Sequence, residues 1–221
     1  MNDKSLKIIL TGATGFVGEG VLLETLNHAN VEEVLMVNRR HFDLQHPKLR
    51  ELIVPDFMNP DAVAKHLSGY DACFFCAGIS SAGMNELKYS HITYETTMQF
   101  AKVLLAYNPD LVFNFVSGSH ADSSEKGKVM WARVKGKTEN GLMKLPFRKE
   151  FNYRPGAMLP SEGQKNVKPF YGFIVRTIAF LSPKRAVTFK EIAYSMVNAV
   201  VIGYSKQVLE IADIKELANI N

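Results

Sequence analysis

Leu6-Lys7-Ile8-Ile9-Leu10-Thr11-Gly12-Ala13-Thr14-Gly15-Phe16-Val17-Gly18 is the stretch on which the reading of this chain turns. Residues with β character run straight into glycines at 12, 15 and 18, and Val21, Leu22, Thr25 and Leu26 then recur at helical spacing. The order is strand, tight turn, helix N-terminus. Such a terminus presents unpaired N–H groups and the positive end of the helix dipole, so it can hold a pyrophosphate without a lysine. Gly12 permits the turn, Gly15 lets backbone approach the phosphates, and Gly18 lets helix and strand pack closely. Thr14, Phe16 and Val17 stand between them on the same turn. A glycine pattern alone is a weak signal; one placed between such a strand and such a helix points to dinucleotide binding.

Outward from this turn, strands and helices alternate. Strands are predicted over 33–38, 49–55, 71–76, 111–116 and 150–153. Helices are predicted over 60–67, with Pro60 in the first turn, over 89–107, and over 129–145. The alternation implies right-handed crossovers and an α/β, doubly wound parallel sheet in a single domain spanning 1–221. Beyond Gly156 it fades. A loop over 157–168, a helix near 169–181, Val187-Thr188 before a helix from 189, and a short C-terminal segment are expected to form a small cap. In this reading, 157–221 supplies the substrate side of the cleft. The small, polar run 79–85 suits a loop beside a site.

Composition narrows the function classes. The chain has 221 residues, 47% hydrophobic and 22% charged, with a net charge of +4 and basic residues scattered along its length. A nucleic-acid-binding face is not indicated. Cys73 and Cys76 fall in one apolar strand and would point to opposite faces, so buried thiols are expected and no metal site or redox pair. The opening residues do not read as a secretory signal. The apolar stretches 170–181 and 192–204 fall short of the roughly 20 residues a membrane span needs. A reducing cytoplasm is the expected setting, with no membrane partner.

Together these motifs resemble the extended and atypical short-chain dehydrogenase/reductases of the NAD-dependent epimerase/dehydratase type, which have a Rossmann fold. Thr11 to Gly18 is similar to their T-G-x-x-G-x-x-G fingerprint, and Asp56-Phe57 to the position that meets the adenine amino group. Cys76-Ala77-Gly78 resembles the fourth-strand end that lines the cofactor, and Arg154-Pro155-Gly156 the turn beside the nicotinamide. Ser117 to Asp122, followed by Val134-Lys135-Gly136 and the Arg-Pro-Gly turn, resembles in particular the small branch that includes the Tat-interacting-protein oxidoreductases. The resemblance implies a monomer or a homodimer formed through the helices at 89–107 and 129–145. At the end of the second strand stand Asn38, Arg39 and Arg40, with no carboxylate to repel a 2′-phosphate and two guanidiniums able to pair with one. NADP(H) is therefore expected ahead of NAD(H).

In family members that perform redox chemistry, a Tyr-x-x-x-Lys pair shares one helix face; the lysine holds the nicotinamide ribose and the tyrosine moves a proton. Here Lys135 fits the lysine position, but the residue four before it is Trp131, and none of the eight tyrosines has a lysine four residues later. Indole is a donor only and cannot shuttle a proton. Ser117 resembles the serine that polarises a substrate carbonyl; it could equally be a loop hydroxyl bonded to backbone, with Ser119 as a neighbouring substitute. His120 is a candidate replacement acid, or a solvated loop histidine. Two readings follow. One is an oxidoreductase or epimerase-type protein acting on a small carbonyl or alcohol; the other is a catalytically inactive NADPH-binding regulator or scaffold.

Overall fold

The computed structural model describes residues 5–167, 182 and 185–220, the side chains of 61 and 62 excepted. The helix expected near 169–181 lies outside the described residues. Seven strands form one sheet in the order β3-β2-β1-β4-β5-β6-β9. They are β1 (Leu6–Thr11), β2 (Val31–Asn38), β3 (Leu49–Ile53), β4 (Ala72–Phe75), β5 (Val112–Val116), β6 (Lys149–Tyr153) and β9 (Val208–Leu209). Every pairing between neighbours is parallel. The order reverses between β1 and β4, which opens a crevice at the carboxyl ends of the strands, where open α/β sheets place their ligands.

The period-2 alternation of buried strands sorts their side chains onto two cores. Ile8, Leu10, Ala72 and Phe74 join the core under α1 (Phe16–Leu26), α5 (Phe189–Val201) and α6 (Ile211–Ala218). Ile9, Cys73, Phe75, Phe113 and Phe115 join the other, with Phe100 of α3 (Thr96–Tyr107) and Leu142 of α4 (Met130–Leu142). Phe57 stacks on Phe100 at 4.9 Å, and Phe113 on Phe147 at 5.0 Å. Cys73 packs in this second core and Cys76 against the first, so the two thiols do face opposite ways. A Cβ at Gly20 would come within 2.3 Å of the Phe189 ring, so α1 and α5 are in contact through a missing side chain.

Several boundaries differ from the sequence expectation. Pro60–Leu67 winds as a 3-10 helix. Its flanking Asn59 gives its amide to Asp56 at 2.6 Å and provides no cap. The helix expected from Tyr89 begins as α2 (Glu86–Ser90), capped by Asn85, whose side chain accepts the Lys88 N–H at 2.9 Å. It then passes through a π turn, His91–Glu95, before α3. The segment expected as a loop from 157 contains β7 (Ala157–Leu159), which pairs with β8 (Ala186–Thr188) in a separate two-stranded sheet. The edge strand β9 lies where the sequence predicts no strand; Asn152 of β6 and Arg154 just after it donate their N–H groups to the carbonyls of Gln207 and Leu209. The start of α5 at 189 agrees with expectation, because Thr188 and Glu191 form a reciprocal capping box.

Two acids are buried beside β6. Glu139 is fully buried and pairs with the Arg154 guanidinium. Glu150, 3% exposed, accepts one bond from the Asn152 amide at 3.1 Å, and its other oxygen has no partner among the described residues. Burial, with Glu139 nearby, pushes its pKa up from 4.5 to about 9. Between those values the folded carboxyl keeps a proton that the unfolded one has released. Stability must then fall as pH rises through this window, by at most about 1.4 kcal/mol per pH unit. Glu150→Gln keeps the shape without the ionisable group. Chemical denaturation should show it more stable than the parent at pH 8 and little different at pH 4; an unchanged pH slope would assign the effect elsewhere.

Candidate functional site

A cleft of about 700 Å³ opens at the strand-order reversal. The β1–α1 turn forms its floor, with Gly12, Thr14, Gly15, Phe16, Val17 and Gly18 all lining it. Each glycine has a distinct geometry. Gly12 has a φ of +78°, and a Cβ there would lie 2.6 Å from the Ala77 nitrogen. A Cβ on Gly18 would lie 2.1 Å from the Gly12 carbonyl oxygen, so helix and turn touch through the missing methyl. Gly15 has ordinary extended backbone (φ −109°), and a Cβ there would meet only the Gly12 oxygen, at 3.4 Å. The fold itself therefore has no need of glycine at 15; a Cβ there would project into open cleft. Gly15 also donates its N–H to the Gly12 carbonyl, closing the turn at 2.9 Å. The Thr11 hydroxyl accepts the Ala77 N–H at 3.1 Å and ties this turn to the end of β4.

The walls come from successive strand ends. Asn38 ends β2 and Arg39 follows it, Asp56 and Phe57 follow β3, and Cys76, Ala77 and Gly78 follow β4. Asn38 is 2% exposed, and both atoms of its side-chain amide are buried without a partner among the described residues. The Asp56 carboxylate accepts the Met58 N–H at 2.9 Å and the Asn59 amide, which hold its pKa below the usual carboxylate range. Burial pushes the Cys76 thiol up to about 12, against the pull of the Lys135 charge, so it stays neutral.

Ser117 and Lys135 form the far wall. The Ser117 N–H donates to the Tyr153 carbonyl at 2.8 Å, while its hydroxyl is buried with no partner among the described residues. Lys135 donates to the Val116 carbonyl at 3.1 Å, with its ammonium 4.8 Å above the Phe115 ring. Burial lowers its pKa to about 8, against the opposing influence of Glu139. Orphaned polar atoms at Asn38 and Ser117, on two sides of a glycine-floored cleft, fit a long ligand that has a phosphate centre and polar ends.

Five residues expected at the site do not line the cleft: Arg40, Trp131, Arg154, Pro155 and Gly156. Arg40 is an exposed residue just beyond Arg39. Trp131 lies half-buried one turn before Lys135, its indole against Gly118, where a built Cβ would sit 3.9 Å from the ring. The Arg154 guanidinium is engaged with Glu139, with the Ser123 hydroxyl at 2.7 Å and with Glu210 at 3.3 Å. Pro155 accepts the Ser119 N–H at 3.1 Å, and the Cβ position of Gly156 is crowded by Ile211 and the Arg185 carbonyl. That turn joins α4, α6 and the 117–120 loop. His120, exposed with φ +69°, is outside the cleft lining.

The cleft also takes in residues that sequence reasoning passed over: His91, Ile92 and Thr96, from the π turn and the start of α3. The extra residue in a π turn shifts side chains off the helical period, so no 3.6-residue pattern could mark them. His91 bonds through Nδ1 to Glu95 at 2.7 Å.

Comparison with known proteins agrees with this geometry. Residues 8–108 match the NAD dependent epimerase/dehydratase family. Protein HTATIP2 of Rattus norvegicus is 26% identical over 161 residues, 72% of this chain and 64% of its own length. The chain therefore spans just under two thirds of that relative. Protein FMP52, mitochondrial, of Debaryomyces hansenii is 25% identical over 195 residues, 85% of this chain and 84% of its own. The Bordetella bronchiseptica enzyme WbmF in complex with NAD+ superposes with a TM-score of 0.66 at 16% identity, over 99% of this chain and 78% of that one, which is a likeness of fold. With its fingerprint turn, seven-stranded parallel sheet and these relatives, the chain resembles the short-chain dehydrogenase/reductases of the NAD-dependent epimerase/dehydratase type and shares their fold.

Proposed function

We propose that the cleft binds NADP(H), with NAD(H) as the weaker alternative, and that the chain acts on a small carbonyl or alcohol as an oxidoreductase or epimerase. The observation that carries the cofactor assignment is Gly15, a glycine whose missing side chain clears space only in the cleft. In this reading the N–H groups of the β1–α1 turn hold the pyrophosphate, and Asp56 meets the adenine amino group. Arg39 and Arg40 pair with the 2′-phosphate. The orphaned Asn38 amide and the Lys135 ammonium bond the two riboses. The nicotinamide, when bound, supplies or accepts a hydride. Ser117 offers its free hydroxyl to a substrate oxygen. As a buried cation of lowered pKa, Lys135 binds most firmly below about pH 8.

A second reading has a specific observation behind it. Trp131 stands one helical turn before Lys135, and its indole lies against Gly118, outside the cleft lining. A protein that keeps the cofactor site and lacks the proton-transferring phenol would sense NADPH without turnover. The family match ends at residue 108, before Ser117, Trp131 and Lys135, so it bears on the cofactor half and leaves the chemistry open. The WbmF structure holds NAD+; the NADP(H) preference proposed here rests on Asn38, Arg39 and Arg40. No helix among the described residues is long and apolar enough to cross a membrane. We place the protein in a reducing compartment, the cytoplasm, where the Cys73 and Cys76 thiols stay reduced.

Three measurements test these readings. Titration should show NADPH bound at least about tenfold more tightly than NADH, the effect of one or two charge-assisted bonds after their desolvation cost. Replacing Arg39 and Arg40 together by alanine should erase that preference and leave NADH affinity nearly unchanged. Equal affinities in the unmodified protein would defeat it. Gly15→Val should fold, because its backbone is extended and its Cβ direction open, yet should lose cofactor binding; normal NADPH binding by this variant would remove the phosphate cradle. Trp131→Tyr should keep NADPH affinity within a few-fold and raise reductase activity toward reactive aldehydes, ketones or quinones, since general acid catalysis supplies about 10²–10⁴-fold. Brisk turnover by the unmodified protein that is lost in Trp131→Tyr would show that another group moves the proton.

A further inference from the structure

A separate set of hydrogen bonds joins the first turns of α1 to a segment 146 residues later. Glu19 follows Gly18 directly and is only 2% exposed. Its two oxygens accept the backbone N–H groups of Lys165 and Asn166, each at 2.7 Å. Beside it, the Gln164 amide donates to the Phe16 carbonyl at 2.6 Å, and its oxygen accepts the Ser161 N–H at 3.2 Å. Segment 161–167 contains no helix or strand, and Glu162, Gly163, Lys165 and Asn166 are exposed. Among the described residues these bonds tie it to α1, the kind of attachment that opens at low cost. It follows β7, and Phe16, on the other end of the Gln164 bond, lines the cleft.

The charge of Glu19 gives this attachment a direction. A carboxylate early in α1 lies close to the cradle that would take a pyrophosphate, and like charges at such range repel. Two N–H donors at 2.7 Å aim the positive ends of their dipoles at that charge and offset its field when the segment is attached. When it is detached these fixed dipoles are lost and only solvent screens the carboxylate. The attached state is then the better anion binder, and by reciprocity a bound anion favours attachment.

We propose that Glu19 is a positioning residue that couples dinucleotide occupancy of the cleft to attachment of segment 161–167, so that this segment is held more firmly against α1 once the cofactor's phosphates are in place. This rests on the dinucleotide reading above. Amide hydrogen exchange of the full chain, with NADPH binding followed in the same samples by its fluorescence, provides the test. In the unmodified protein, saturating NADPH should slow exchange at Lys165 and Asn166 several-fold. ADP should do the same and adenosine, which has no phosphate, should not; this comparison needs no variant. Glu19→Gln should exchange about tenfold faster at both amides and lose the NADPH-dependent slowing, with NADPH affinity within a few-fold. Gln164→Ala, which cuts only the Phe16 tie, should exchange faster yet keep the slowing. If NADPH binds while these amides do not respond, if adenosine slows them as ADP does, or if Glu19→Gln keeps the response, the coupling is overturned and the cofactor site stands. Failure of the unmodified protein to bind any dinucleotide overturns both.

Discussion

The contact between Gly18 and the Gly12 carbonyl is the constraint on which the rest of this molecule depends. A methyl at Gly18 would sit 2.1 Å from that oxygen, so only its absence lets α1 start where it does, tight against the end of β1. Gly12 adds a left-handed turn pressed against Ala77, which fixes the end of β4 relative to β1. Because β1 and β4 flank the reversal of strand order, this small knot sets the width of the crevice and aims the free end of α1 into it. Core packing follows from the same approach. With α1 drawn onto the sheet, Gly20 meets the Phe189 ring and Phe16 meets it edge-on at 5.1 Å, so α5 is located by α1.

Much of this was legible in the sequence, for reasons that can be named. Buried parallel strands read as apolar runs, so β1, β4 and β5 were visible, and their alternation placed Cys73 and Cys76 on opposite faces. The fingerprint turn was legible because Gly12 and Gly18 answer steric requirements of the backbone, while Gly15 leaves space in the cleft. Asn38 was legible at the end of the second strand, whereas Asp56, Ala77, Ser117 and Lys135 were read through the family resemblance; all five line the cleft.

What was hidden depended on partners far away in sequence. Arg154 sits in a turn that resembles a cofactor-side motif, yet Glu139 and Glu210 engage its guanidinium, and no spacing rule links those positions. The short strand β7 has no alternation to announce it and exists through its pairing with β8. The π turn at His91–Glu95 brings His91 and Ile92 to the cleft by breaking the periodicity on which helix reading relies. The Asn59 side chain bonds Asp56 and leaves the following segment uncapped, and Pro60–Leu67 is a 3-10 helix where an ordinary helix was expected.

The two-residue strand β9 has a consequence for how copies of this chain behave together. Without it, the end of β6 would present the Asn152 and Arg154 N–H groups as an open template, and a run such as Phe151-Asn152-Tyr153 is an inviting place for a foreign strand to dock. Gln207 and Leu209 take both donors, and the chain turns at once into α6, leaving no length of edge to extend. At the opposite margin, β3 carries Arg50 and Glu51 amid short apolar stretches, so a second sheet would have to bury charge to add there. The two margins of the sheet end differently: a strand of only two residues at one, and charged side chains on β3 at the other.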